Sequence, residues 1–149
     1  MAQVCDLAIF ALLSHHRKCE AMRTEKEPTL IVLHEETPVF TSHSNWLYPL
    51  LELEAYLAEH PVQPERLVLQ DKIIGKAAAL LVTRLGFRTV TAGILSRLGE
   101  TVFHRYEIAY TYEQLVDRIH CQTEELLAQV EDPEEAYRLV KVRAGRSLS

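Results

Sequence analysis

The stretch that most restricts the fold is Arg66 to Gly86, RLVLQDKIIGKAAALLVTRLG. It opens with the alternation of a strand, and from Ile73 to Val82 only Gly75 and Lys76 interrupt apolar side chains. A helix that is hydrophobic on nearly every side has no face to give to solvent, so it belongs in the middle of a domain. We read Leu67–Leu69 as a strand and Lys72–Leu85 as the helix, with Asp71 at the N-cap and Gly86 closing the C-terminal end. In that reading Lys72 and Lys76 lie one turn apart on one face, against the positive end of the helix dipole. Each is unfavourable there by about 0.3–1 kcal/mol. Gly75 costs roughly 0.5–1 kcal/mol relative to alanine unless something must pass close to the backbone. A bound anion would offset all three, which makes Asp71, Lys72, Gly75 and Lys76 candidates for a phosphate or carboxylate cradle. The same residues also have a structural reading: a cap, an exposed lysine, a lysine whose stem crosses the core towards a glutamate, and a close helix contact. The spacing of a P-loop, G-x-x-x-x-G-K-[ST], is absent.

The rest of the chain supplies a setting for this helix. Apolar residues at helical spacing predict a helix over Val4–Met22. Two β-rich runs, Thr29–His34 and Val39–Ser42, flank Glu35-Glu36-Thr37-Pro38 as a hairpin does. A helix follows, starting near Leu47–Pro49, since proline suits a first turn. Beyond Gly86 the strand and helix pattern repeats: strand Arg88–Ala92, helix Leu95–His104, strand Glu107–Tyr110 and helix Tyr112–Ile119. A last helix is capped by Asp132 and begins at Pro133, and residues 145–149 form a frayed tail. At 149 residues, 48% of them hydrophobic, the chain has material for one full core and one domain. The alternation implies an α/β fold: helices covering a mixed sheet that opens with a hairpin.

Charge and cysteine content exclude several functions. A formal net charge of -5 with no basic run is wrong for a protein that coats nucleic acid. The apolar segment Val4–Leu13 is too short to span a bilayer and contains Asp6, so no membrane partner is expected. Cys5, Cys19 and Cys121 are far apart with no C-x-x-C pair, as in reduced thiols of a cytoplasmic protein. His15 and Cys19 sit four apart, which is two ligands short of a zinc site.

DKIIGKAAALL, together with PLLELEAYL and DPEEAYRLV, resembles the prokaryotic family catalogued as domain of unknown function 1893, over most of the chain up to Val140. The resemblance implies a cytidine-deaminase-like fold, a three-layer α/β/α sandwich, and brings no established reaction. Zinc deaminases need H-x-E or C-x-E after the hairpin and P-C-x-x-C at the next helix. Here SHSNWLYP puts Asn45 two residues after His43, and QDKIIGK has no cysteine, so neither a metal nor any other cofactor is expected. The pocket between two helix N-termini would remain, with Ser42, His43, Ser44 and Asn45 on one side and the lysine helix on the other. Cys121, in RIHCQTEELL, stands three residues before Glu124 where the family carries a C-P-x-E element, with Gln122 in place of the proline. It is a candidate nucleophile at a helix start, or a small packed residue. Trp46 and Tyr48 are core or pocket-wall aromatics, and nothing in the sequence supports base stacking by them.

Two function classes follow. One is a binding module for a small anionic ligand, nucleotide-like or phosphorylated, held by Asp71, Lys72, Gly75, Lys76, Ser44 and Asn45. The other is a zinc-independent enzyme using Lys72 or Lys76 with Asp71 and Cys121, where Lys72 and Cys121 are the catalytic candidates. A protein-interaction subunit is a third alternative, and self-association into a homo-oligomer is compatible with each.

Overall fold

The structure is a computed structural model that describes residues 27–148. The helix expected over Val4–Met22, with His15 and Cys19, lies outside the described residues. Strands β1 (Leu30–His34) and β2 (Thr37–Ser42) form an antiparallel hairpin. Its turn is tighter than the four residues expected, because Glu35 and Glu36 both adopt left-handed backbone, φ 49° and 71°, as a two-residue turn that matches strand twist requires. Thr37 and Pro38 therefore join β2, an edge strand, where a missing N–H is tolerated.

Helix α1 (Tyr48–Glu59) has Pro49 in its first turn. A 3-10 turn at Pro64–Arg66 leads to β3 (Val68–Ile74), then α2 (Lys76–Leu85), β4 (Thr89–Ser96), α3 (Arg97–Arg105) and β5 (Ala109–Val116). A five-residue helix α4 (Gln122–Leu126) and α5 (Pro133–Leu148) complete the order. The sheet runs β2-β1-β3-β4-β5, antiparallel at β2/β1 and β1/β3 and parallel at β3/β4 and β4/β5. The chain is thus an α/β protein with a mixed five-stranded sheet. The units β3–α2–β4 and β4–α3–β5 join parallel neighbours, whose right-handed connection puts α2 and α3 on one face, and α1 packs beside them. Their packing agrees: α1, α3 and α5 all contact α2.

The core lies between that face and α2. Leu30, Val32, Leu69 and Val90 of the sheet meet Leu50, Leu53, Leu80, Phe103, Ala136 and Val140 in one buried cluster. Residues 77–82 of α2 are buried all round, as its composition requires. Gly86 closes α2 at φ 96°, its N–H bonded to Thr83 and that of Phe87 to Val82, which satisfies carbonyls the helix leaves open. By strand alternation the opposite face carries Ile31, Leu33, Gln70 and Thr91, which are buried as well.

Four sequence assignments change. β4 runs past Ala92 to Ser96, so Leu95 and Ser96 are strand residues and α3 begins at Arg97. β3 does not stop at Leu69: it pairs with β1 as far as Asp71 and with β4 as far as Ile74, so Asp71 and Lys72 are strand residues and Gly75 is the N-cap. Tyr112–Ile119 is not a helix, because Ala109–Val116 pairs in parallel with β4 and extends as strand. α5 continues to Leu148, through the segment expected to fray.

Candidate functional site

The strand correction moves the two lysines apart. Lys72 lies in β3 two residues before its end, near the sheet's carboxyl end, and Lys76 is the first residue of α2. Lys72 is partly exposed, with Nζ 3.3 Å from Glu27 at the surface. The Lys76 side chain is buried and runs the other way, with Nζ donating to the Ala128 carbonyl (2.8 Å) and pairing with Glu131 (2.9 Å). That contact with Lys76, aided by Arg105, holds the Glu131 carboxyl below the usual carboxylate range. Lys76 is therefore the lysine that crosses the core to a glutamate.

The anion at the start of α2 comes from the chain itself. Glu124, only 3% exposed, accepts the Lys76 backbone N–H (3.1 Å) and the Ser96 hydroxyl (2.8 Å) at Oε1, and the Ile119 N–H (2.6 Å) at Oε2. Ser96 in turn caps α3 by accepting from Gly99 N–H at 3.0 Å. One carboxylate thus joins the N-termini of two helices, where dipoles and free N–H groups favour negative charge. It also explains Gly75, whose φ of -100° any residue could adopt. A Cβ there would lie 3.0 Å from Glu124 Oε1 and 3.3 Å from Ile119 Cδ1. The close approach that Gly75 implied is the approach of Glu124.

A cavity of about 270 Å³ opens beside this junction. Asp71, Lys72 and Gly75 line it from the β3–α2 connection, with the start of α2 at Lys76. Ser44 and Asn45 line it from the β2–α1 loop, and Cys121 from the loop before α4. The expected site residues are brought to one place, apart from Ser42 and His43, which do not reach the cavity wall. Ser42 instead joins Ser44 in donating to the Glu52 carboxylate, at 2.9 and 2.8 Å, and Thr29 Oγ1 donates to the Ser44 carbonyl at 2.7 Å, so the loop is firmly held.

Asp71 sits opposite Leu30 and Ala92, both core residues, which directs its carboxyl to the helix-bearing face. Burial pushes that carboxyl up to about 7, and the N–H groups of Ile73 and Lys72 draw it only partly back. Cys121 is exposed at the N-cap of α4.

Sequence reasoning missed the residues that organise the cavity: Glu124, Thr123 and Ile119. The C-x-x-E spacing after Cys121 was the available signal for Glu124. No group of three or more His, Cys, Asp or Glu is placed to hold a metal among the described residues. No described helix is long and apolar enough to cross a membrane.

Comparison with known proteins supports a family. No match is found among curated proteins. The crystal structure of a DUF1893 family protein from Thermotoga maritima superposes with a TM-score of 0.69 at 20% identity, covering 88% of this chain and 89% of that one. At that identity the likeness establishes a shared fold. The family model described as domain of unknown function (DUF1893) matches residues 19–143. The chain therefore belongs to the DUF1893 family.

Proposed function

We propose that the chain is a small-molecule-binding protein whose cavity, between the β2–α1 loop and the start of α2, takes an anionic, nucleotide-like or phosphorylated ligand. The observation that carries this reading is the convergence of Asp71, Lys72, Gly75, Ser44, Asn45 and Cys121 on one cavity of about 270 Å³. A few polar groups set into apolar walls, with a carboxyl of raised pKa among them, is the usual composition of a ligand site. The fold reading that accompanies it is deaminase-like. A hairpin followed by three crossover helices on a β2-β1-β3-β4-β5 sheet supports it.

The geometry changes how an anion would be held. The α2 N-terminus and the Lys76 ammonium are occupied by Glu124 and Glu131, so the negative group of the ligand rests at the rim on Lys72, whose present partner is the surface residue Glu27. An exposed ion pair of that kind is worth about 0–1 kcal/mol and yields readily to a phosphate.

Thermal-shift titration of the purified protein with adenosine and cytidine monophosphates and with ribose 5-phosphate tests the reading, run beside Lys72→Ala. At a ligand concentration about 100 times Kd the native state gains about 2.7 kcal/mol. For a chain of this size that is a rise in Tm of roughly 5–10 °C. The expected result is such a rise in wild type and about tenfold weaker response in Lys72→Ala, whose own Tm stays within a degree or two. Equal response of the two proteins would remove Lys72 from the site, and no response to any compound would remove the reading.

A further inference from the structure

The cavity holds a residue in an unusual state. Trp46 has φ 59°, the left-handed region that a bulky side chain rarely adopts. Such backbone persists only where surrounding contacts fix it, and it concentrates at binding sites and clamps. The contact that fixes it here is long-range: the indole Nε1–H donates to Thr123 Oγ1 at 2.8 Å, and Thr123 is 4% exposed. Tyr48 backs the ring edge-on at 5.1 Å between centroids. The indole is thus held from two sides and remains 36% exposed. Ile73, 53% exposed, lines the same cavity, as do the small side chains of Ala77 and Ala78. Apolar surface left open at two residues of one cavity, one of them a strained and tethered aromatic, is what a flat apolar group would cover.

We infer that Trp46, pinned by Thr123, is a ligand-contacting residue, and that the cavity selects a ligand carrying a planar ring that stacks against the indole. This rests on the small-molecule reading above and deepens it: Lys72 meets the charge, Trp46 meets the ring. Thr123 is a positioning residue, acting through the indole N–H.

Trp46 is the single tryptophan of the chain, so its emission reports on the cavity wall directly. The test is a fluorescence titration with adenosine monophosphate, cytidine monophosphate and ribose 5-phosphate, with affinities checked by thermal shift. The expected result is saturable quenching by at least one nucleotide and none by ribose 5-phosphate. Trp46→Leu then binds that nucleotide at least tenfold more weakly by thermal shift. Trp46→Phe, which keeps a ring and loses the N–H, falls between the two, and Thr123→Val shifts the unliganded emission and weakens binding several-fold. The inference is overturned if Trp46→Leu and Trp46→Phe, both folded by thermal melt, bind with unchanged affinity. It is overturned, with the anion site left standing, if ribose 5-phosphate raises Tm as far as the nucleotides do while the emission does not move. If no compound changes Tm or emission, the inference and the small-molecule reading fall together.

Discussion

At the scale of single residues, the cavity places a carboxyl in surroundings that disfavour its charge. Asp71 has its pKa raised from 3.8 to about 7 by burial beside core residues of β1 and β4. The native state then binds this proton more tightly than the unfolded chain does. Between about pH 4 and pH 7 the folded protein holds more protons at this position, so stability falls as pH rises through that window and levels off above it. The size is on the order of 1–3 kcal/mol for a group that keeps some contact with solvent. Denaturation of wild type and Asp71→Asn at pH 5 and pH 8 isolates this residue from the other carboxylates. The variant is expected to lose less stability than wild type on going to pH 8, by that amount. Equal losses would mean that Asp71 ionises as an ordinary surface carboxylate. None of this was legible from the sequence, where Asp71 before a helical run has the look of an N-cap. Only the pairing of β3 on both sides carries the strand past it.

At the scale of elements, the start of α2 is the centre of the architecture. A helix N-terminus buried against other elements needs an acceptor for its N–H groups, and Glu124 provides it for α2 while holding the Ser96 cap of α3 and the loop at Ile119. Glu124→Ala leaves three donors without an acceptor, two of them backbone N–H groups, and is expected to cost about 2–4 kcal/mol. Gly75→Ala pushes a methyl group against the same carboxylate and is expected to cost about 1–2 kcal/mol. The two substitutions act on one contact, so in the double variant Gly75→Ala should cost much less than it does alone. Additive losses in chemical denaturation would show that Gly75 and Glu124 are independent. The sequence made this element conspicuous and gave the correct physical question, why a glycine and two lysines stand at the head of an apolar helix. The answer lay 48 residues away in the chain, in Glu124 for the glycine and the helix N–H. For Lys76 it lay with Glu131 and the Ala128 carbonyl. Long-range pairings of this kind have no local signature, whereas caps and periodicities do.

At the scale of the whole molecule, the features that depend on local pattern were readable. The hairpin, the proline-started α1, the αL closure at Gly86 and the Asp132–Pro133 start of α5 all follow from residue chemistry near in sequence. The mixed sheet followed from their order. β5 was cut short because Leu115, Val116 and Ile119 fit a helical face as well as a strand, and only pairing with β4 decides between them. The candidate site was legible as a neighbourhood only in that Asp71, Lys72, Gly75, Lys76, Ser44, Asn45 and Cys121 line one cavity. Its internal wiring was not, because the side chains that satisfy the helix ends come from α4 and the segment after it. Ligand binding at this cavity is the proposal that everything above leads to. The most direct measurement is a titration of isotopically labelled protein with adenosine monophosphate, followed through the backbone amide shifts. Saturable changes clustered at Ser44–Trp46, Asp71–Ala78 and Ile119–Glu124, three segments that contribute to the cavity lining, are expected. Changes centred elsewhere, or spectra that stay unaltered at millimolar nucleotide, would contradict that proposal.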